Sequence, residues 1–493
     1  MKKYGSNKTI STKINEKDDN GWYPLLQATY NNNLDIVQLL KKYATKNNVI
    51  LELNEKNNEG RYPLLSAIFN NNMEVVQLLI DYANDNKIIL KLNEKNNKQW
   101  YPFLSATYNN NMEMLQLLVE YADKNNIILE LNDKGDWEFY PLLWATINNS
   151  VEMVKLLIDY ANKNNIVLKL NEKGKDGRSP LVNAVINNNV EIIKLLLDYA
   201  NKNNIILNLN EKGKYFGYPL LGAIRENNTE IVQLLLEYAH GNNIMLDLNE
   251  KNDDENNLFL IAVQKNNIEI VQSIIDYANK QNIILNINEQ NDYIRNPLYY
   301  ATHNNNTKMV QLLMDYSNNH NTLLDLSIGN PILVIAIEND NIEIAQLLID
   351  YAKKNNVILD LNVKNEFGYY SLLMAIIKNN TEMVRLLIDY ANKNNIILRL
   401  KEKEIDITKY VGNYINSIQD INNEIIELLH INSDEHKIEI TFKKDNSTLL
   451  NRFNRKEEKE EVKEEDKNEE KEKSEEGIED EKIENNQNNN NNN

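Results

Sequence analysis

The sequence contains no cysteine among its 493 residues. Disulfide bonds, thiolate metal sites and a cysteine nucleophile are therefore excluded. Glycine and proline are scarce, at 14 and 8 residues, and this scarcity favours long helices over a turn-rich β architecture. Only five histidines are present, and they are scattered along the chain. Because they form no ligand cluster, we expect neither a metal site nor a cofactor.

Long apolar stretches are missing as well. No run approaches the ~18 residues of a membrane span, and the first residues, MKKYGSNKTISTK, lack the apolar core of a signal peptide. We therefore expect a soluble, cytoplasmic protein that does not bind a membrane. The net charge of −19 argues against a nucleic acid or an anionic membrane as the partner.

An internal repeat dominates the chain. Alanine recurs every 39 residues from Ala28 to Ala301, then after 35 residues at Ala336 and again after 39 at Ala375. A degenerate eleventh copy is predicted at residues 417–429, SIQDINNEIIELL. Such regular spacing over most of a long chain predicts an array of stacked units.

Each copy predicts two helices and a connection. The first helix begins at a proline such as Pro24, where the fixed φ and the missing N–H are tolerated, and it ends at an asparagine run. Asparagine readily adopts a left-handed backbone, so NNN predicts a tight turn whose last residue, such as Asn33, caps the second helix. The second helix carries an apolar stripe at helical spacing. In the first copy this stripe consists of Ile36, Val37, Leu39, Leu40 and Tyr43.

One such unit cannot bury its apolar stripe alone, and stacking on neighbours buries it. Each buried leucine then stabilises the fold by roughly 1.5–3 kcal/mol. Replacement of Leu156, in the middle of the array, by alanine is predicted to cost about 2–5 kcal/mol. After the second helix, segments such as KNNVILELNEK alternate in part between apolar and polar residues, which predicts extended chain.

The stretches GWYPLLQA and NNNLDIVQLL resemble the ankyrin repeat, whose pattern is G-x-T-P-L-H-x-A-A-x-x-G-H-x-x-I-V-x-x-L-L. The resemblance covers residues 14–431 in ten or eleven copies. It implies an all-α fold, an ankyrin-like solenoid of helix–turn–helix repeats with short β-hairpin or loop fingers. It also implies binding of partner proteins along the concave face. A 40-residue armadillo or HEAT-type solenoid is the structural alternative.

The copies depart from the family pattern in two ways. The family's threonine is mostly tyrosine here, as at Tyr62, and its histidine is mostly leucine, as at Leu65. The hydrogen bond between those two family residues is therefore missing, and we expect apolar packing to replace it. Each copy is also about six residues longer than the usual 33, and we place the added length after the second helix, in stretches such as YANKNNIIL.

Variable positions identify the candidate binding residues. They lie mainly two residues before the proline, at the predicted finger tip, or just before the constant alanine. Tryptophan, tyrosine and arginine dominate interaction hot spots, and we expect the first four or five copies to hold the main surface. The alternative is that each ring packs on the neighbouring finger and braces the stack. The predicted protein-binding residues are Trp22, Arg61, Trp100, Trp137, Phe139, Trp144, Arg178, Arg295 and Tyr369.

The chain is predicted to have four parts. Residues 1–13 form a flexible N-terminus, and residues 14–431 form the solenoid, with a discontinuity near 327–335 that is either a hinge or a tolerated loop deletion. Residues 432–454 form a C-terminal cap or connector, in which HKIEITF alternates like a short strand. Residues 455–493, with 16 acidic and 8 basic residues before an asparagine run, form a disordered tail.

Motifs of catalytic sites are missing from the sequence. It has no Walker spacing, no HExxH and no GxSxG, so we expect no enzyme. The predicted function is a non-enzymatic scaffold or adaptor that binds partner proteins, as a monomer. A structural or mechanical spacer without a specific ligand is the alternative.

Overall fold

The computed structural model describes residues 13–211, 218–251, 256–326, 332–364, 368–401, 422–434 and 438–441. Of the predicted N-terminal segment 1–13, only Lys13 is among them, and the predicted tail 455–493 lies wholly outside. Residues 327–331 of the short interval also lie outside the described residues. The predicted bounds of the four parts therefore stay predictions.

Ten pairs of helices follow one another in the described chain, and each pair forms one repeat. The first helices are α1 (Pro24–Tyr30), α3 (Pro63–Phe69), α5 (Pro102–Tyr108), α7 (Pro141–Ile147), α9 (Pro180–Ile186), α11 (Pro219–Arg225), α13 (Leu258–Gln264), α15 (Pro297–His303), α17 (Ile332–Glu338) and α19 (Ser371–Ile377). The second helices are α2 (Leu34–Asn47), α4 (Met73–Asp85), α6 (Met112–Lys124), α8 (Val151–Lys163), α10 (Val190–Lys202), α12 (Thr229–Gly241), α14 (Ile268–Gln281), α16 (Thr307–His320), α18 (Ile342–Lys354) and α20 (Thr381–Lys393). The predicted all-α class is confirmed.

The first helix of each proline-containing repeat begins where the sequence predicts. In the second repeat Tyr62 is extended, with a φ of −145°, and Pro63 is the first residue of α3. Proline suits this position because an N–H in the first turn would lack a helical partner. The helix is almost wholly enclosed: Leu64 and Leu65 are 1% and 3% exposed.

The three asparagines of each triplet have three different roles. In the second repeat, Asn70 donates a hydrogen bond from Nδ2 to the carbonyl oxygen of Thr29 in the preceding repeat, at 2.9 Å. Asn71 has a φ of 55°, a left-handed conformation that asparagine tolerates better than most residues. Asn72 accepts a bond at Oδ1 from the backbone N–H of Val75, at 3.0 Å, and so caps α4. The predicted turn and cap are both confirmed.

The second helices supply the core through the predicted stripe, except in the first repeat. On α4, Val76 and Leu79 are at most 1% exposed. On α2, by contrast, Ile36 and Leu39 are 44% and 63% exposed, so the stripe predicted there is wrong in part. Among the described second helices, α2 packs against α4.

The prediction that Leu156 is a core residue of the fourth repeat is wrong by one position. Leu156 on α8 is only partly buried, whereas Leu157 is 0% exposed. Successive residues of a helix point about 100° apart, so a shift of one residue moves a side chain from the edge of the stripe to its centre.

In the second repeat two tyrosines, Tyr62 and Tyr82, hydrogen-bond to connectors. Tyr62 donates from its hydroxyl to the carbonyl oxygens of Lys91, at 2.9 Å, and Glu94, at 3.0 Å. Tyr82 on α4 accepts a bond from the backbone N–H of Leu51, in the connector of the preceding repeat, at 3.1 Å. The expected replacement of the family's hydrogen bond by apolar packing alone is therefore wrong. The longer tyrosine side chain instead carries its hydroxyl to the connector.

The added length of each repeat begins inside the second helix. In the second repeat α4 continues through Asp85, so the residues from Tyr82 to Asp85 are helical. The chain then turns at Lys87, with a φ of 56°. The prediction that the added length follows the helix is thus correct only from this turn onward.

The chain divides into two units, each described by itself. The first unit comprises Met1–Asn252 and Glu269–Leu285, and the second comprises Asp253–Ile268 and Asn286–Asn493. In the first unit the helices α1, α3, α5, α7, α9 and α11 pack side by side in chain order. In the second unit α13, α15, α17 and α19 do the same.

The last described elements of the second unit are a helix and a small sheet. The helix α21 (Asn423–Asp434) packs on α20, and of the predicted eleventh copy, 417–429, the residues 417–421 lie outside the described part. The strands β1 (Leu398–Lys401) and β2 (Ile438–Thr441) pair in parallel. A strand is therefore confirmed within the segment HKIEITF.

Candidate functional site

The fingers are tight loops, and six of the candidate residues are each the last residue of one: Trp22, Arg61, Trp100, Phe139, Arg178 and Arg295. These loops are the residues 18–22, 57–61, 96–100, 135–139, 174–178 and 291–295. In the second finger the N–H of Asn57 donates to the carbonyl of Arg61, at 3.0 Å. The N–H of Arg61 donates in turn to Oδ1 of Asn57, at 2.8 Å. A left-handed residue, here Gly60 with a φ of 74°, closes the loop and fixes the residue that follows it.

The first two predicted residues meet on one ring. Trp22 and Tyr30 make an edge-to-face contact with their ring centroids 5.0 Å apart. The guanidinium of Arg61 lies over the same Tyr30 ring, 4.6 Å from its centroid, which is the geometry of a cation–π contact. Tyr30 stands at the end of α1 and is 40% exposed.

Six rings from the second, third and fourth repeats form one aromatic cluster. Its members are Phe69, Trp100, Tyr108, Trp137, Phe139 and Trp144. Trp100 lies 5.2 Å from Tyr108 and 5.9 Å from Trp137, measured between ring centroids. Trp144 lies 4.9 Å from Tyr108 and 4.8 Å from Phe139. Edge-to-face and offset contacts at these distances stabilise the cluster beyond simple burial.

The rings of the cluster differ in what they can offer a partner. Trp100 is only 7% exposed, while Trp137 is 44% exposed. Trp100 thus lies beneath the exposed surface. Its burial agrees with the alternative that a ring packs on the neighbouring finger. Trp137 rests on it and keeps nearly half of its own area in contact with solvent.

A small cleft opens beside the cluster. It has a volume of about 170 Å³, and its walls include Arg61, Ser66, Phe69, Trp100 and Trp137. Arg61 forms an ion pair with Glu59 of its own finger, at 2.6 Å. Lys98 and Asp136 line the cleft as well, so it combines aromatic walls with charged groups of both signs.

Buried polar atoms recur beneath this face, at the position just before the constant alanine. In the described chain four of them lack a hydrogen-bond partner: Ser66 Oγ, Ser105 Oγ, Trp144 Nε1 and Asn183 Nδ2. A buried polar group without a partner costs about 1–3 kcal/mol. Ser66 lines the cleft, so its hydroxyl is the member of the set closest to an arriving ligand.

Three aromatic residues of this surface were missed from the sequence. Tyr30, Phe69 and Tyr108 end the helices α1, α3 and α5, and they are 40%, 49% and 38% exposed. Each lies two residues after the constant alanine. That column is aromatic in the first three repeats and nonaromatic in the next four, and this change along the array is the signal that could have found them.

The other three predicted residues are not among the six rings of the aromatic cluster. Arg178 contacts Asp176 of its own finger, at 3.5 Å. In the second unit Arg295 lies over the ring of Tyr299, 4.9 Å from its centroid. Tyr369 is partly buried, and burial raises the pKa of its phenol. The structure brings together Trp100, Trp137, Phe139 and Trp144, with Trp22 and Arg61 sharing Tyr30 nearby in the same unit.

The described residues also bear on two other features, a metal site and a membrane-spanning helix. No group of three or more histidine, aspartate or glutamate side chains there could hold a metal ion. Among the helices of the described part, none is both long and apolar enough to cross a membrane.

Stacked helix pairs joined by tight asparagine turns, with loops projecting between them, define a repeat protein of the helical solenoid class. The family model for ankyrin repeats, in three-copy form, matches residues 5–89, 44–128, 82–167, 126–206 and 259–358. These matches cover more than half of the chain, which therefore belongs to the ankyrin-repeat family. No curated protein matches it.

Proposed function

We propose that this chain is a non-enzymatic scaffold that binds a protein partner through the fingers and first helices of its first four repeats. By the family resemblance, this is the concave face of the array. Ankyrin repeats generally mediate protein–protein interaction, which supports binding in the broad sense. The observation that carries the specific proposal is the half-exposed ring of Trp137, held on buried Trp100 beside the Arg61 cleft.

The composition of this face supports a role in recognition. Tryptophan, tyrosine and arginine are the residues enriched at interaction hot spots. Here all four tryptophans lie in the first four repeats, and later first helices end in nonaromatic residues such as Ile147 and Gln264. A surface needed only to brace the stack would have no reason to differ between repeats.

The packing of the face supports rapid, specific binding. Contacts between the rings fix Trp137 and Trp144 before any partner arrives, so little side-chain entropy is lost on association. A partner that inserts an apolar side chain into the cleft would bury the aromatic rings that line it. If the same partner places a hydrogen-bond acceptor near Ser66, the Ser66 hydroxyl gains a partner as well. We also propose that the protein acts in the cytoplasm, as the sequence predicts.

The test is affinity capture with the full chain as bait. The chain is immobilised at increasing density, exposed to a lysate of its source cells at low and high salt, and the captured proteins are quantified. We expect at least one protein to bind saturably and to survive high salt. The double variant Trp137→Ala with Arg61→Ala is expected to weaken that binding by about 30-fold or more.

The matched control is Tyr293→Ala. Tyr293 occupies the same place in the finger 291–295 that Trp137 occupies in 135–139, and it is 75% exposed. Capture by this variant should equal that of the wild type, and circular dichroism should show that each variant is folded. Equal capture by the double variant would disprove the proposed face. The absence of any saturable partner would favour the alternative function, a spacer without a specific ligand.

A further inference from the structure

One large apolar side chain is exposed at the same position of every repeat, in the connector after the second helix. In the first unit we call these residues the apolar row. Its members are Ile50, Ile89, Ile128, Val167, Ile206, Met245 and Ile284, each between 52% and 61% exposed. The second unit has three equivalent residues, Leu323, Ile358 and Ile397, at 51%, 67% and 57%.

The extended shape of the connector explains how these side chains come to face solvent. Successive residues of extended chain point to opposite sides. In the first connector Leu51 and Leu53 are each 2% exposed. Ile50, which precedes Leu51, and Glu52, which lies between the two leucines, are exposed. Each connector therefore turns one apolar and one charged or polar side chain outward.

An asparagine from the preceding connector fixes this arrangement. Asn54 donates from Nδ2 to the carbonyl oxygen of Ile89, at 2.8 Å, and accepts at Oδ1 from the N–H of Lys91, at 3.1 Å. Asn93 contacts Ile128 and Glu130 in the same way, at 2.7 and 3.1 Å. Equivalent asparagines hold each of the seven connectors of the first unit. The outward side chains of successive repeats therefore line up on one side.

The row has no role in the fold or in the proposed binding face. Its side chains point away from the core, and the aromatic cluster is built from fingers and first helices instead. Single exposed apolar residues are ordinary on protein surfaces. Seven at one structural position, all more than half exposed, form a regular surface feature that needs a separate explanation.

The charged residues beside the row alternate in sign over the first four repeats. They are Glu52, Lys91, Glu130 and Lys169, and all four are exposed. The ammonium group of Lys91 lies 3.9 Å from the carboxylate of Glu94 in its own connector. The outward pattern of these repeats is thus apolar–negative, apolar–positive, apolar–negative, apolar–positive.

We propose that two copies of this chain associate through the apolar row, antiparallel, about a two-fold axis between the second and third repeats. In this arrangement Glu52 faces Lys169 of the second copy, and Lys91 faces Glu130 of the second copy. Each of these four charged side chains then lies opposite a side chain of opposite charge in the second copy, which favours association. A parallel arrangement would place Glu52 against Glu52, and like charges oppose it.

The spacing of the apolar row also favours a second copy of this chain as its binding partner. The apolar residues recur with the period of the repeat, and a second copy presents the same period in the same geometry. A two-fold interface is self-complementary, since each patch meets its own equivalent. This dimer departs from the monomer expected from the sequence. It uses a surface separate from the aromatic face, so either proposal can fail alone.

The first test is sedimentation velocity of the full chain from ~1 to ~100 µM, the range of weak to moderate self-association. We expect a reversible monomer–dimer equilibrium. The double variant Ile89→Ser with Ile128→Ser should weaken dimerisation at least about tenfold. The control Ile284→Ser, at 61% exposure like Ile128 but outside the four paired repeats, should leave it unchanged. A monomer at every concentration would overturn the proposal.

The second test is a charge exchange at the centre of the interface. The variant Lys91→Glu places like charges opposite each other on both sides of the axis, and so does Glu130→Lys. Each single change should weaken the dimer, and the two together should restore it. Failure of the double change to restore dimerisation would overturn the antiparallel register. A monomeric chain that instead floats with phosphatidylcholine vesicles would show that the row binds lipid, and would also overturn the proposal.

Discussion

The hydroxyl of Tyr62 donates a hydrogen bond to the carbonyl oxygen of Lys91, 2.9 Å away in the connector of the same repeat. The ring of Tyr62 is 0% exposed, so the bond lies where water cannot replace it. Tyr62 also donates to the carbonyl oxygen of Glu94, and equivalent bonds join Tyr23 to Glu55 and Tyr101 to Asp133. In these repeats a buried phenol thus ties the finger to the chain that leads into the next one.

Removal of one such hydroxyl should lower stability without creating a cavity. We expect Tyr140→Phe to lower the free energy of unfolding by about 1–3 kcal/mol, because the carbonyls of Lys169 and Glu172 lose their shared donor. Denaturant melts of the full chain measure this loss. Tyr293→Phe, at an exposed ring, is the control and should change little. An equal effect of both variants would contradict the bracing role.

Stability should fall at alkaline pH. Burial, and secondarily Glu94, raises the pKa of Tyr62 well above its ordinary value of 10.0, and burial with Asp133 and Glu130 does the same for Tyr101. Above pH 10.0 the unfolded chain releases these protons while the folded chain keeps them. The tyrosines' contribution is therefore complete below that pH and is lost as the pH rises further.

Denaturation midpoints measured across this alkaline range check the pH prediction. The wild type should lose stability progressively above pH 10.0, and the double variant Tyr62→Phe with Tyr101→Phe should lose it less steeply, because two of the protons are gone. Identical slopes for the two proteins would show that other groups cause the alkaline loss.

The two adjacent leucines of α8 should differ in their contribution to the core. Leu157→Ala is expected to cost about 2–5 kcal/mol, since the side chain is 0% exposed and its removal leaves a cavity. Leu156→Ala should cost less, because Leu156 is only partly buried. Parallel denaturant melts of the two variants give the comparison. A larger loss for Leu156→Ala would mean that the helix is rotated relative to the described structure.

Two glycines should respond to alanine in opposite directions. Gly60 has a φ of 74°, and an added Cβ would lie 2.9 Å from Cα of Asn96 in the next finger. Gly60→Ala should therefore cost at least about 1–2 kcal/mol from the left-handed backbone alone. Gly241, the last residue of α12, has nothing within 4 Å of an added Cβ. Gly241→Ala should stabilise the chain by up to about 1 kcal/mol. Thermal melts distinguish the two, and a stabilised Gly60→Ala would refute the finger geometry.

Local features were predictable because short-range chemistry fixes them. Pro63 marks the start of a helix since its ring fixes φ, and Asn71 marks a turn since asparagine accepts a positive φ. Asn72 caps the next helix through its own side chain. Each of these roles depends on neighbours within four residues, and so the pattern of one repeat sufficed to predict it.

Contacts between repeats were harder to predict. The sequence indicates that Trp100 and Trp137 are unusual, but only their 5.9 Å contact shows that one is buried beneath the other. The same holds for the tyrosine position, where the residue type suggested packing and the structure shows a hydrogen bond to a connector 29 residues away.

The sequence by itself determined the repeat, its helices and its turns, because periodicity and residue preferences act locally. The tertiary structure alone decided which faces those repeats present. Stacking buries Leu51 and leaves Ile50 in solvent, gathers six rings into one cluster, and sets Glu52, Lys91, Glu130 and Lys169 in an outward series. Such surfaces depend on how one repeat sits on the next, a relation that residues 39 positions apart establish only once the chain has folded.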